Sequence, residues 1–243
     1  MPLPDISAQC HAAIESGRGF VALLSSEFYD EDEDVLTPSE RDRASRFRRD
    51  ADRKNFVLGR AALRALIGAD ACEQMTVGVA GKLYLDVGPA FSLSHSGSWV
   101  AVAVGLFDPV GVDVEAIACF QPGLLNIVCS KAERAWILNQ PSKAEPFCQC
   151  WTRKEALLKA AGLGLVGDLR KIPSGVGSSP LVKLPVEARL HDLSRYVDGP
   201  YIVSAAFPPS IGEISVIVQS GWDCYRFDRT VLPEIGSQSQ WLE

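Results

Sequence analysis

Two carboxylates alternate with two valines in the segment Gly-Val-Asp-Val-Glu, residues 111–115. Successive side chains of a strand point to opposite faces, so Asp113 and Glu115 are expected to share one face. Two carboxylates this close repel each other unless a cation lies between them, and Mg2+ commonly binds one or two carboxylates together with substrate phosphates. The pattern therefore indicates either a metal site or the polar face of a half-exposed strand.

A third carboxylate lies on the helix predicted over residues 146–161, which ends before Gly162 and Gly164. Glu155 and Lys159 are four residues apart and share one face of this helix. Such a pair is most often a solvent-facing ion pair. In the functional alternative, Glu155 is a metal ligand or a base and Lys159 binds a phosphate.

One of the three histidines lies in the hydroxyl-rich segment Phe-Ser-Leu-Ser-His-Ser-Gly-Ser-Trp, residues 91–99. A loop of this composition, with His95, can bind a phosphate. A turn whose serines hydrogen-bond their own backbone explains the same residues equally well.

Arginine is concentrated in two helices predicted over residues 37–49 and 52–67. Spacings of seven and four residues place Arg53, Arg60 and Arg64 on one face of the second helix. The first helix contributes Arg41, Arg43 and Arg46. In a chain with a formal net charge of −6, this local excess favours a role in binding an anion.

The elements that must position these residues are short and of mixed type. Strands are predicted at residues 19–28, 75–79, 82–85, 90–93, 99–106, 111–115, 182–190, 201–206 and 214–219. Further helices are predicted at residues 130–139 and 146–161, and capping boxes are predicted at Thr37/Glu40 and Ser130/Glu133. Asp108-Pro109 is predicted to form a hairpin turn between two buried strands. Helices and antiparallel-type strands in both halves indicate an α+β fold with a boundary near Pro109.

Composition limits the functions that this chain can have. Its 243 residues are 47% apolar with a net charge of −6, which suits a globular protein and argues against a general nucleic-acid binder. The seven cysteines show no disulfide or zinc spacing, which indicates free thiols in a reducing compartment. No signal peptide or membrane-spanning apolar run is recognisable, so we expect a cytoplasmic protein with no membrane partner.

Five motifs follow one another in order within the segment from about Leu36 to Leu165. They are Gly-Lys-Leu-Tyr-Leu (81–85), the histidine segment extended to residue 104, Gly-Val-Asp-Val-Glu (111–115), Ser-Lys-Ala-Glu-Arg-Ala-Trp-Ile-Leu (130–138) and Trp-Thr-Arg-Lys-Glu-Ala-Leu-Leu-Lys-Ala-Ala-Gly-Leu-Gly-Leu (151–165). Together they resemble the 4'-phosphopantetheinyl transferases of the larger, surfactin-synthetase-activating (Sfp) type.

The resemblance implies a monomer of two similar, pseudo-symmetric subdomains with antiparallel sheets and helices, and an active site in the cleft between them. We expect an N-terminal subdomain at residues 1–108 that contacts coenzyme A, a C-terminal subdomain at 109–225 and a tail at 226–243. The implied reaction moves the 4'-phosphopantetheine arm of coenzyme A to a serine of an apo acyl or peptidyl carrier protein. It requires Mg2+, for which Mn2+ can substitute, and releases adenosine 3',5'-bisphosphate.

The resemblance also assigns roles to individual residues. The metal ligands are Asp113, Glu115 and Glu155, and the catalytic residues are Asp113, Glu155 and Lys159. The coenzyme contacts are Arg43, Arg64, Lys82, Ser94, His95, Lys154 and Lys159. Glu133 matches a family glutamate but is also explained by its capping box. The chain departs from the family pattern at Ser92, where asparagine is usual, and in offering Arg41 and Arg43 where some members have lysines.

Two other functional classes fit the same residues. One is a different Mg2+-dependent phosphoryl-transfer enzyme, which would need no protein co-substrate. The other is a non-catalytic binder of coenzyme A or a carrier protein, which would have no need of three carboxylates. The sequence does not distinguish among fatty-acid, polyketide and peptide-synthetase carriers.

Overall fold

The computed structural model describes residues 6–30, 33–78, 80–164, 167–175, 187–220 and 224–227. Its α-helices are α1 (Ser7–Glu15), α2 (Pro38–Ala44), α3 (Asp50–Ile67), α4 (Ala69–Glu73), α5 (Leu125–Val128), α6 (Lys131–Leu138) and α7 (Ala144–Ala161). Its strands are β1 (Gly19–Ser25), β2 (Thr76–Val77), β3 (Leu83–Tyr84), β4 (Ala90–Ser96), β5 (Trp99–Gly105), β6 (Gly111–Ala116), β7 (Arg189–Asp192), β8 (Tyr201–Phe207), β9 (Ile214–Gln219) and β10 (Cys224–Phe227). This mixture of helices and largely antiparallel strands confirms the predicted α+β class.

The strand β1 lies at the centre of a five-stranded sheet with the order β10-β9-β1-β5-β4. All its residues are buried, because both faces of the sheet are covered. Phe20, Ala22 and Leu24 pack in one core with residues of α3. Val21 and Leu23 pack in a second core with residues of β6 and β8. Alternate residues of one strand therefore contribute to two separate cores.

A second sheet has three antiparallel strands in the order β6-β8-β7, and α7 packs against it. Gly111, the first residue of β6, permits a very close approach of the helix. A Cβ atom at this position would lie 1.9 Å from the carbonyl oxygen of Ala156 and 2.6 Å from the amide nitrogen of Ala160. The backbone of α7 therefore lies directly against the strand that carries Asp113 and Glu115.

Serine side chains connect the two sheets where β4 runs beside β6. Ser92 Oγ accepts a hydrogen bond from the Val112 amide at 3.1 Å, and Ser96 Oγ accepts one from the Ala116 amide at 3.1 Å. Because these serines are an even number of residues apart, their hydroxyls leave β4 on the same face. Side chains thus provide acceptors for backbone donors of β6.

The predicted hairpin turn at Asp108-Pro109 is wrong. The strands on either side of it, β5 and β6, belong to different sheets: β5 pairs with β1 and β4, and β6 pairs with β8. Local turn residues do not determine which strand becomes the partner, and here both sides of β5 are already occupied.

Most predicted elements are present, with shifted ends. The strand β9 matches its predicted range, and both capping boxes are confirmed. The helix α2 ends at Ala44 rather than near residue 49, and the Ser45 hydroxyl donates to the Asp42 carbonyl oxygen just beyond it. Serine competes with helical hydrogen bonding in this way. The sequence patterns did not predict α1, α4, α5 or β10.

The predicted division into subdomains at residues 1–108 and 109–225 and a tail at 226–243 stays a prediction. The strands β9 and β10 hydrogen-bond within the five-stranded sheet beside β1, although they follow the second sheet in sequence. Residues 228–243 of the predicted tail, and residues 182–186 of a predicted strand, lie outside the described residues. Among the described helices, none is both long enough and apolar enough to cross a bilayer.

Candidate active site

Asp113 lies at the meeting point of β4, β6 and α7 and is only 3% exposed. Its Oδ1 accepts hydrogen bonds from the Ser94 hydroxyl at 2.8 Å and from the Lys159 ammonium at 2.7 Å. Lys159 also donates to Ser94 Oγ at 2.7 Å. The other oxygen, Oδ2, is buried without a hydrogen-bond partner among the described residues. One carboxylate thus joins three elements and keeps one oxygen uncommitted.

Glu115 is held from two sides. The Ser96 hydroxyl donates to Oε2 at 2.9 Å, and the indole N–H of Trp151 donates to Oε1 at 3.1 Å. Burial and the neighbouring Asp113 carboxylate raise the pKa of Glu115, and the two hydrogen bonds oppose that rise. The carboxylate therefore has a fixed orientation beside a second negative charge.

Glu155 on α7 completes a group of three carboxylates. Its Oε1 is buried and has no hydrogen-bond partner in the described structure. Burial and the charges of Asp113 and Glu115 raise its pKa to about 7, although the Lys159 ammonium acts in the opposite direction. A carboxyl group with this pKa exchanges its proton readily near neutral pH.

The three carboxylates are chemically suited to bind a hard divalent cation. It offers carboxylate oxygens, two of which are buried without partners, and Mg2+ is bound by ligands of this type. The side chains are not already spaced as ligands, since no group of three or more His, Cys, Asp or Glu in the described part of the chain could hold a metal ion as it stands. The cation that contacts Asp113 in the structure is the Lys159 ammonium.

The predicted coenzyme contacts lie in several places. Ser94 and Lys159 touch Asp113, and His95 is the next residue along β4, with its side chain exposed. Although His95 is exposed at the surface, the protein around its ring reduces its solvation, and this loss together with the nearby Lys159 ammonium lowers the pKa of this histidine. Lys82 donates to the Val110 carbonyl oxygen at 3.2 Å, so it lies beside the residue that precedes β6.

Lys154 lies apart from the carboxylate group, with 1% of its side chain exposed. Its ammonium donates to Glu133 Oε2 at 2.7 Å and to the carbonyl oxygens of Val128 and Leu169 at 2.8 Å and 2.9 Å. An ammonium has three hydrogens, so these bonds use all of them. Glu133 also accepts from the Ser130 amide in its capping box. Burial raises the pKa of Glu133, but the hydrogen bonds from Lys154 and Ser174, with a smaller effect of the capping-box amide, bring it below its ordinary value.

Arg43 and Arg64 belong to a cluster between α2 and α3. Arg64 donates to Glu40 Oε2 at 2.6 Å, and Arg60 lies 3.3 Å from the other oxygen of Glu40. The guanidinium carbons of Arg43 and Arg60 lie 5.4 Å and 5.1 Å from the ring centre of Phe56. Three arginines share one carboxylate and one ring, which leaves a local excess of positive charge.

Two site residues were missed by the sequence reading, namely Ser96 and the indole of Trp151 as partners of Glu115. The alternation of Ser92, Ser94 and Ser96 was the available signal, since period two places all three on one face of a strand. For Trp151 the available signal was its spacing of four residues from Glu155 on the predicted helix, although a tryptophan there is usually interpreted as a core residue.

Residues 109–203 match the family model of the 4'-phosphopantetheinyl transferase superfamily. A provisionally named 4'-phosphopantetheinyl transferase of Synechocystis sp. is 30% identical over 168 residues, which is 63% of either chain. The transferase psf-1 of Bacillus pumilus is 34% identical over 50% of this chain and 56% of its own length. The transferase Sfp of Bacillus subtilis is 27% identical over 54% of this chain and 62% of its own length.

These alignments cover less than two thirds of the length of each relative. The matched family segment contains β6, α6 and α7, and so includes Asp113, Glu115, Glu155 and Lys159. Three of the five motifs that suggested the family, at residues 111–115, 130–138 and 151–165, lie in this segment, and the other two precede it. Residues 109–203 therefore resemble the 4'-phosphopantetheinyl transferase superfamily, and the chain is similar to larger, Sfp-type members of that superfamily.

Proposed function

We propose that this chain transfers the 4'-phosphopantetheine arm of coenzyme A to a serine hydroxyl of an apo acyl or peptidyl carrier protein, with Mg2+ as the metal. The match of residues 109–203 to the 4'-phosphopantetheinyl transferase superfamily supports the reaction class. The observation that carries the proposal is the pairing of two uncommitted buried oxygens, Asp113 Oδ2 and Glu155 Oε1, beside the Lys159 ammonium. Buried carboxylate oxygens without partners are costly, so their presence favours a bound cationic group.

Asp113, Glu115 and Glu155 would hold the metal. When bound, Mg2+ would neutralise charge on the pyrophosphate of coenzyme A and so stabilise the departing phosphate. Its binding would require Lys159 or the carboxylates to shift, since Lys159 now contacts Asp113. With 27% of its side chain exposed, Lys159 can turn from Asp113 towards a phosphate oxygen.

A residue of the chain would remove the proton of the attacking serine hydroxyl. In the transfer, the carrier serine oxygen forms a bond to the phosphorus that bears pantetheine, and the bond from that phosphorus to the bridging pyrophosphate oxygen breaks. Adenosine 3',5'-bisphosphate leaves with the bond electrons. Glu155 would accept the serine proton.

The remaining contacts to coenzyme A would come from positive and polar groups of other elements. Ser94, His95 and Lys82 line the β4 and β6 side, and Arg43 and Arg64 provide positive charge from α2 and α3. Lys154 is a poor candidate for a direct contact, because its three hydrogens are bound to protein oxygens. We propose instead that it holds α7 in place.

The reaction is tested by intact-protein mass spectrometry of an apo carrier protein incubated with this chain, coenzyme A and Mg2+. We expect a mass gain of one phosphopantetheine, and no gain when EDTA is present during the incubation. A carrier protein whose acceptor serine is replaced by alanine is the control and should gain nothing. Absence of any gain with acyl, polyketide and peptidyl carriers would contradict the proposed function.

A further inference from the structure

Glu115 differs from the other two carboxylates of the site in having a donor on each oxygen. Ser96 reaches Oε2 from β4, and Trp151 reaches Oε1 from α7. Asp113 Oδ2 and Glu155 Oε1 have no such donor among the described residues. The donors of Glu115 come from the two elements that flank β6, so the orientation of this carboxylate depends on both.

The position of Trp151 follows from the helix. Trp151, Glu155 and Lys159 are four residues apart and lie on one face of α7. Trp151 contacts Glu115 and Lys159 contacts Asp113, so α7 runs alongside β6 with its polar face against the carboxylates. The indole is therefore part of the charged site and not only of the core.

The Ser96 hydroxyl has two roles at once. It accepts a hydrogen bond from the Ala116 amide at 3.1 Å, which orients its own hydrogen towards Glu115 Oε2. Ser92 accepts from the Val112 amide at the same distance but contacts no carboxylate by a hydrogen bond in the described structure. Both serines therefore accept the same type of hydrogen bond from the backbone of β6. In the described structure, Ser96 also donates to a carboxylate of the site, whereas Ser92 does not.

We propose that Ser96 and Trp151 are positioning residues that fix the Glu115 carboxylate for a divalent cation, an inference that rests on the cation site of the proposed function. Groups that hydrogen-bond to metal ligands orient them, and their loss typically weakens metal affinity by about 10- to 100-fold. Neither residue contacts the cation or the substrate in this account. Each acts through Glu115.

The test measures Mn2+ binding by electron paramagnetic resonance of the free ion, with no substrate present. We expect Ser96→Ala and Trp151→Phe each to weaken Mn2+ affinity by about tenfold or more. Ser96→Thr keeps a hydroxyl and should bind within about twofold of the original chain. Ser92→Ala removes a comparable β4–β6 bond and should leave Mn2+ affinity unchanged, even if its unfolding temperature falls with that of Ser96→Ala.

The outcomes separate this inference from the proposed function. If the unaltered chain binds Mn2+ and Ser96→Ala binds equally well, the positioning role is overturned while the cation site stands. Equal weakening by Ser92→Ala and Ser96→Ala would also overturn it, because the effect would then come from the β4–β6 connection. If the unaltered chain binds no Mn2+, both the cation site and the positioning role are overturned.

Discussion

Gly111 and Ala156 are in such close contact that no side chain fits between them. A Cβ on Gly111 would lie 1.9 Å from the Ala156 carbonyl oxygen, well inside the distance at which atoms repel each other. This contact sets the spacing between β6 and α7. Asp113 and Glu115 on the strand, and Glu155 and Lys159 on the helix, depend on that spacing for their contacts.

Replacing Gly111 with alanine should therefore disturb both stability and the site. Overpacking of a close contact typically costs about 1–3 kcal/mol, and the backbone of α7 has to move because its carbonyl oxygen cannot rotate away. We expect Gly111→Ala to lower the free energy of unfolding by about 2 kcal/mol or more in urea titration. Gly123→Ala is the matched control, because no atom lies within 4 Å of the added Cβ. Equal stability of the two variants would contradict the close packing of α7 on β6.

The buried pair of Lys154 and Glu133 gives a second prediction. Removing one partner of a buried ion pair leaves the other charge uncompensated and typically costs about 3–5 kcal/mol. We expect Lys154→Met to lose stability in this range by urea unfolding, and the double variant Lys154→Met/Glu133→Leu to lose less than the two single variants added together.

The same variant separates a structural role for Lys154 from a coenzyme contact. If Lys154 has a structural role, Lys154→Met should lose much of its stability, and its folded fraction should keep its affinity for coenzyme A. If Lys154 instead contacts coenzyme A, the variant should bind coenzyme A more weakly in calorimetry and keep nearly normal stability. The second result would contradict the role assigned here.

His191 should make the stability of the chain depend on pH. Its ring is buried against Phe207, and neither ring nitrogen has a hydrogen-bond partner in the described structure. Burial, with a smaller effect of the Arg189 charge, lowers the His191 pKa to about 4. The unfolded chain has a histidine pKa near 6.5, so it binds a proton first as the pH falls.

The sign of this dependence follows from the lowered pKa. The stabilising effect of the neutral ring is fully present above about pH 6.5 and is lost as the pH falls towards about 4, by up to about 3 kcal/mol. Comparing urea unfolding of the original chain and His191→Leu between pH 4.5 and 7.5 isolates this histidine from other titrating groups. We expect the difference in unfolding free energy between the two proteins to change with pH. A difference that stays constant would contradict the buried neutral state.

The periodicity of the sequence was sufficient to predict which residues of the candidate site share a face of one strand or one helix. Period two placed Asp113 and Glu115 on one face of a strand, and period 3.6 placed Glu155 and Lys159 on one face of a helix. These relationships depend only on residues within a single element. For that reason they survive whatever tertiary arrangement the chain adopts.

Relationships between elements could not be predicted in this way. The partner of β6 is β8, from far along the chain, and not the preceding strand β5. The register of β4 beside β6 decides that Ser96 reaches Glu115, and the packing of α7 decides that Trp151 does so from the other side. Helical spacing shows that Lys154 and Glu155 point in different directions, but Glu133 as the buried partner of Lys154 depends on how α6 packs.

The most direct test of the central claim compares two glutamates of the same helix. Glu155 lies in the carboxylate group, whereas Glu145, ten residues earlier on α7, is exposed. The measurement is the initial rate of phosphopantetheine transfer from coenzyme A to an apo carrier protein, followed by intact mass at saturating Mg2+. We predict that Glu155→Gln slows transfer by about a hundredfold or more, and that Glu145→Gln leaves it unchanged. Full transfer by Glu155→Gln would contradict the assignment of this carboxylate group as the active site.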